Sequence, residues 1–431
     1  MRLTNAAQVD LPPGIVRSCA VEVTDITADR LPVSFDQGRH VGMGQRPGSW
    51  MAIAFRLQQR VDLDHLREAW AAVVHRHGTL RTVFDVEGDT LVLDRVEVAP
   101  GPWTEHPAEG RTSREVVRAV LDATCRPFDR PSHRICLVDA DRPAVVIGAD
   151  HSHVDAWSLL LLARDLVACL DDVLIGRTPG GDLPVPLAFA AHTAELAARP
   201  DPPDEIRDRW AEILAAGGDA MPTFPLDLGD VTVVHPEVVE VRDVLDSDEL
   251  GRFEDLAHDL GVGIISVAMA EVVRALRTLA DVPLRAVFPV HSRYDERWHS
   301  SVGWFITNSV LECSSTDPVE CGRAIKEAIR LGSHALGPIM APYGGMPADP
   351  GMFAVSWLDH RRLPVEVDDG LEPQHVSAVI RTDGVMIWFV VNHTGLHLRC
   401  RYPDTEQARA SVGRWIEAVV SGLQATVAVP A

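Results

Sequence analysis

The chain has 431 residues, 46% of them hydrophobic and 24% charged, and a formal net charge of −22. That length exceeds one ordinary domain and suits two lobes of roughly 200 residues, each able to bury a sizeable core. The charge excludes nucleic acid as the main partner, because phosphate binding needs a basic face. No apolar run reaches the ~20 residues that cross a bilayer, so no membrane span is expected. The 7 cysteines include no C-x-x-C pair, and the start MRLTNAAQVDLPPG has no apolar signal core. Both features point to a cytoplasmic protein without a disulfide framework or a cysteine zinc site.

In chain order, MAIAFRL (51–57) reads as a strand. Asp64 is placed to cap a helix with apolar positions Leu66, Ala69, Trp70, Val73 and Val74, ended by Gly78. TLRTVFD and TLVLDRV read as strands about an EGD turn, SREVVRAVLDATC (113–125) as a helix, and HRICLVD and PAVVIGAD as a strand pair. DHSHVDA (150–156) follows, then a helix over 156–172. A Pro- and Gly-rich stretch around a short Ala-rich helix marks a connection. The expected organisation is therefore a first lobe over 1–178, a connection over 179–204 and a second lobe over 205–431. In the second lobe, 247–261, 263–280 and 319–336 read as helices, and 284–290 and 352–359 as strands. Residues 385–403 read as a hairpin through a TG turn, and an amphipathic helix capped at Asp404 closes the chain. Strands and helices in irregular order in both halves predict α/β (α+β) lobes.

DHSHVDA lies between a strand and a helix, a junction that presents side chains to a cleft. Three readings compete for it. His151 is suited to general base catalysis, since imidazole titrates near neutral pH and can take a proton from an incoming hydroxyl or amine. Asp155 then orders the loop through an ion pair with an arginine, or simply caps the following helix. Alternatively, His151, His153 and Asp155 spell HxHxD, the start of a zinc-hydrolase motif, although Ala156 stands where that motif ends in histidine. The third reading is structural: a satisfied polar group at a strand end.

DHSHVDA resembles the HHxxxDG motif of the condensation domains of nonribosomal peptide synthetases, a group that includes chloramphenicol acetyltransferase and the polyketide-associated acyltransferases. Asp150 replaces the first histidine and Ala156 the glycine. LPVSFDQ (31–37) resembles the group's N-terminal motif with its Ser and Gln. VDLDHLREAWAAVVHRHGTLRTVF (61–84) resembles the stretch ending RHxxLRTxF, and it is the longest match. FPVHSR (288–293) with SVGWFITNSV (301–310) resembles the GxF segment of the second lobe, and FAVSWLD (353–359) falls where a late strand crosses between lobes.

The resemblance implies two chloramphenicol acetyltransferase-like lobes in a V-shaped pseudodimer with an interlobe tunnel. It implies a free-standing monomeric enzyme that transfers an acyl group from a thioester, on coenzyme A or the phosphopantetheine of a carrier protein, to a hydroxyl or amine of a small acceptor. No other cofactor and no metal are implied. His151 is then the catalytic residue, Asp155 and Arg293 a supporting pair, and Asp150, Ser152, Ala156, Gly303, Trp304 and Asn308 candidates for the tunnel lining. Arg293 as a surface charge and Trp304 as plain core are the bland alternatives. A condensation-like binding module without catalysis, and the zinc hydrolase, are the competing functions.

Overall fold

A computed structural model describes residues 2–428. In chain order the elements begin with β1 (Arg2–Asn5), β2 (Ile15–Leu31), α1 (Phe35–Val41), β3 (Trp50–Arg56), α2 (Leu63–Arg76), β4 (Thr82–Glu87) and β5 (Thr90–His106). They continue with α3 (Ser113–Thr124), β6 (His133–Asp139), β7 (Ala144–Asp150), α4 (Ala156–Leu174), α5 (Phe189–Ala197), α6 (Asp204–Ala215), β8 (His235–Asp246), α7 (Ser247–Asp259) and α8 (Ile264–Ala280). The remainder are β9 (Leu284–His291), β10 (Ile306–Cys313), α9 (Pro318–Gly332), α10 (Leu336–Met340), β11 (Phe353–Asp359), β12 (Gln374–Ser377), β13 (Arg381–Thr382), β14 (Val385–Asn392), β15 (Gly395–Pro403) and α11 (Glu406–Val427).

The chain folds as two compact units. The first takes Met1–Arg199 together with Arg293–Ile306 and Leu363–Val379. The expected boundaries put both late segments in the second lobe. They join the first unit because their partners are there: β12 fills the slot between β1 and β3, and Arg293 finds its carboxylate at Asp155. The sheet order is β1-β12-β3-β7-β6-β2-β5-β4.

β7 shows why the site-bearing strand is apolar throughout. All seven of its residues are buried. Val145, Ile147 and Ala149 point into the core shared with α2 and α4. Gly148 points to the other face, where a Cβ would lie 2.6 Å from Leu121 of α3. Alternation puts successive side chains on opposite faces, and here both faces are covered, so no position is left polar until Asp150.

α2 buries Leu66, Ala69, Trp70, Val73 and Val74, the i, i+3, i+4, i+7 stripe read from the sequence. Its cap is Asp62 rather than Asp64: the Asp62 carboxylate accepts the Asp64 amide at 2.8 Å. β2 was not foreseen, and β5 runs well past 96. These two long strands pair through several register shifts, which break the alternation that would have marked them.

The second unit holds a seven-stranded sheet of order β10-β9-β11-β14-β15-β8-β13. α7, α8, α9 and α11 contribute to one apolar core with Phe253, Phe353, Phe389 and Trp415 at 0% exposure. FAVSWLD forms β11, parallel to β9 and β14 inside this sheet. The late strand that belongs to the first unit is β12 instead. The hairpin of β14 and β15 forms as expected. The last helix is capped by Thr405, whose hydroxyl accepts the Ala408 amide, while Asp404 pairs with Arg409. Both units are mixed α/β, the class read from the sequence. Among the described residues no single helix is long and apolar enough to cross a membrane.

Candidate active site

The chain leaves β7 at Asp150, opposite Trp50 of β3, and turns at once. The Asp150 carboxylate folds back on its own loop, accepting the Ser152 amide at 2.9 Å and the Ser152 hydroxyl at 2.5 Å. The Ser49 hydroxyl donates to it at 2.5 Å, and the His151 amide donates to the Ser49 carbonyl at 2.9 Å. An aspartate that bonds the backbone two residues on is a natural turn former. The loop is also tied from outside. Ser34 and Gln37 form a capping box on α1, and Gln37 Nε2 reaches across to donate to the Ser152 carbonyl at 2.9 Å. The Ser and Gln of LPVSFDQ thus act as cap and tether.

His151 is half-buried. Its Nδ1 lies 2.9 Å from the Val154 carbonyl. A carbonyl only accepts, so Nδ1 carries the proton and the neutral ring presents the Nε2 lone pair. Nε2 makes no hydrogen bond with the described protein residues. Burial, then the nearby imidazole of His40, holds the His151 pKa below its ordinary 6.5, against the pull of Asp150. The Trp304 indole stacks on the ring, with centroids 4.1 Å apart and planes at 21°. His151 is therefore a neutral imidazole with one nitrogen free and one face covered.

Next to it stands a second histidine that sequence reasoning missed. His40, one turn beyond Gln37 on α1, directs Nε2 at the Asp150 carboxylate, 3.1 and 3.3 Å away. Its Nδ1 accepts from Arg46 at 3.0 Å. Its ring meets Trp304 edge-on at 5.2 Å. Burial raises the Asp150 pKa, but the hydrogen bonds from His40, Ser152 and Ser49 outweigh it and bring it to about 2. The available signal was the i, i+3 spacing of Gln37 and His40, which places them on one helix face.

Asp155 supports the loop at the start of α4 and both expected roles meet in it. Its carboxylate accepts the Ser158 amide at 2.8 Å, capping the helix, and takes both Arg293 nitrogens at 2.7 and 3.2 Å. It also accepts the Phe305 amide at 3.0 Å. Arg293 is not a surface charge. It is buried, its guanidinium 3.9 Å above the Phe305 ring and 4.8 Å from Trp157, and it donates to Ser158 Oγ and the Ser301 carbonyl. Burial opposes ionisation of Asp155, but the charge and bonds of Arg293 prevail and lower its pKa.

Ser158 Oγ bonds the Gly303 carbonyl and amide, fixing the VGWF segment. Position 303 must be glycine, because a Cβ would sit 2.4 Å from Cγ of Phe189. Trp304, next in line, is thereby delivered to the His151 ring. Ser152 is buried within the loop, Ala156 opens α4, and Asn308 belongs to β10 of the second unit.

The HxHxD side chains diverge. His153 lies against Phe84, with Nδ1 2.9 Å from Ser152 Oγ and 3.2 Å from Ser132 Oγ, while Asp155 is committed to Arg293. Among the described residues no three His, Cys, Asp or Glu side chains converge as a metal site.

The condensation domain family model matches residues 32–331. The chain belongs to the condensation domain family. It is 28% identical over 303 residues to a probable non-canonical nonribosomal peptide synthetase, CymA, of Salinispora arenicola, a match covering 66% of this chain and 4% of that protein. It is 26% identical over 310 residues to a dimodular nonribosomal peptide synthase of Bacillus subtilis, covering 67% of this chain and 13% of that protein. The chain thus spans a small part of the length of these relatives. Among solved structures, the PapA2 acyl transferase shares the fold with a TM-score of 0.86 at 19% identity, over 100% of both chains. The family match spans β7, the His151 loop, α4 and the VGWF segment alike.

Proposed function

We propose that this condensation-family chain transfers an acyl group from a thioester to a hydroxyl or amine of a small acceptor, with His151 Nε2 as the base. The donor is an acyl group on coenzyme A or on the phosphopantetheine of a carrier protein, and the setting is natural-product or lipid biosynthesis. The observation that carries the reading is the state of His151: Nδ1–H engaged by the Val154 carbonyl, Nε2 unbonded, and a lowered pKa that keeps the ring neutral at physiological pH.

A thioester already carries a good leaving group, so no serine or cysteine nucleophile is needed. The acceptor O–H or N–H faces Nε2, its heteroatom attacks the carbonyl carbon, and the proton passes to Nε2. The carbon–sulfur bond then breaks, and the thiolate takes the proton back. Holding the acceptor close to the carbonyl supplies much of the rate, and a positioned base contributes ~10²–10⁴-fold. Asp155 and Arg293 do no chemistry in this scheme; they hold the loop that carries His151.

Product mass spectrometry on a panel of acyl thioesters and acceptors, with His151→Ala as control, tests the reading. Acyl transfer by the wild type that disappears in a folded His151→Ala protein is the expected result. Equal product from the two proteins overturns the role of His151. A panel that yields no transfer at all favours a binding module.

A further inference from the structure

His40 is used by no step above, yet it is among the most tightly held side chains near His151. It stands on a separate element, α1, and three groups constrain it. Arg46 can only donate, so Nδ1 of His40 must accept, and its proton therefore sits on Nε2, aimed at Asp150. Arg46 is anchored in turn, donating from NH1 to the His40 and Gly44 carbonyls at 3.0 Å each. Asp150 is held by Ser49 and Ser152. The far side of the His40 ring meets Trp304 edge-on.

The arrangement around Trp304 is a clamp. One face of the indole lies on His151, and the His40 ring stands against the indole at 78°, while the two imidazole centroids are 6.1 Å apart. Trp304 follows Gly303, whose backbone is pinned by Ser158; that fixes the start of the side chain but not the rotation of the ring. His40 limits this rotation on the Asp150 side, and the apolar cluster of Phe189, Trp298 and Phe305 also packs against the side chain. Position 150, where the resemblance leads one to expect histidine, holds the carboxylate that fixes an imidazole brought from elsewhere.

We propose that His40 is a positioning residue of the acyl-transfer site: locked by Asp150 and Arg46, it holds the Trp304 indole against the His151 ring and so sets the direction and the dryness of Nε2. This rests on His151 being the base. The charged and titratable groups near the His151 ring include His40 from α1, Arg46 from the loop after it, Asp150 at the end of β7, His153 of the same loop, and the Asp155–Arg293 pair at the start of α4. Asp150 and Asp155 are both held ionised well into acid, so neither titrates in the range where His151 does.

The test needs no substrate in its first arm. In the full chain with labelled histidine, the His151 ring resonances, assigned by their absence in His151→Ala, are followed against pH in wild type, His40→Leu, Trp304→Leu and the double variant. In wild type the stacked indole displaces the ring protons upfield and the midpoint lies below 6.5. In His40→Leu the displacement shrinks and the midpoint rises, because the indole no longer covers the ring and water reaches it. Trp304→Leu leaves the Asp150 network untouched, so it gives the same changes even where His40→Leu folds poorly. His40→Gln, which still offers an N–H to Asp150, restores part of the displacement.

The second arm is kinetic. His40→Leu lowers kcat by about ten- to a hundredfold with little change in KM, as expected for misdirection of a base. The double variant is no slower than Trp304→Leu alone, since His40 acts through the indole. Unchanged resonances and midpoint in folded His40→Leu, or additive losses in the double variant, overturn the proposal while leaving His151 as base. Undiminished turnover in His151→Ala overturns both.

Discussion

Two segments of the first unit resemble the same family with very different strength: RHGTLRTVF (76–84), the longer match, and DHSHVDA (150–156), the shorter. The structure gives them opposite surroundings. Arg76 and His77 both engage the buried Asp165 of α4, at 3.0 and 2.9 Å. Thr79 donates to the Val302 carbonyl at 2.7 Å, Thr82 to the Thr79 carbonyl, and the Leu80 carbonyl accepts from His133. His77 even has an unpaired nitrogen, Nδ1, but the ring is fully buried and nothing can reach it. His151 also has an unpaired nitrogen, on a ring that is half open. A free lone pair becomes chemistry only where a substrate can approach. Many interlocked partners constrain many residues, so the framework segment is the longer match, while a single accessible nitrogen constrains only one.

That contrast can be broken in four places. His151→Ala has the largest expected effect: turnover falls ~10²–10⁴-fold with the melting temperature unchanged. In the wild type the acid limb of kcat/KM lies below 6.5, because the base works unprotonated and its pKa is lowered; a limb above that value contradicts the assignment. Asp155→Ala strands the buried Arg293 and costs about 3–5 kcal/mol of stability by denaturant unfolding, with Asn milder. Full stability with a selective loss of rate would overturn its supporting role. Asp165→Ala leaves Arg76 and His77 without their carboxylate and costs about 3 kcal/mol, yet the folded fraction keeps its kcat. A rate loss rivalling that of His151→Ala would collapse the distinction between the segments. Thr79→Val is the smallest, about 1–2 kcal/mol for an orphaned carbonyl, again with unchanged kcat.

Periodicity made α2, β7 and the β14–β15 hairpin legible, because each has a buried stripe or run that the pattern of apolar residues repeats. His151 and the Asp155–Arg293 pair could be named from motif positions. What stayed hidden depends on partners remote in sequence. β12 is four residues long and owes its existence to the edges of β1 and β3. β2 loses its alternation at the register shifts against β5. His40 lies 110 residues before the carboxylate it binds, and a histidine on a short helix carries no period of its own. Asp62 and Asp64 were equally good caps by residue type; the choice between them is made by backbone angles.

The late segments bear on how the molecule is made. Domains commonly fold as they emerge, N-terminal part first. Here the nascent first unit lacks a strand between β1 and β3 until residue 377 has been synthesised, and Asp155 waits 138 residues for Arg293. A buried carboxylate without its cation is strongly unfavourable, so the loop bearing His151 closes only once most of the polypeptide exists. An N-terminal fragment ending near residue 199 would be an open sheet with an uncompensated charge beside its site, and completion of the second half of the chain is what licenses the first.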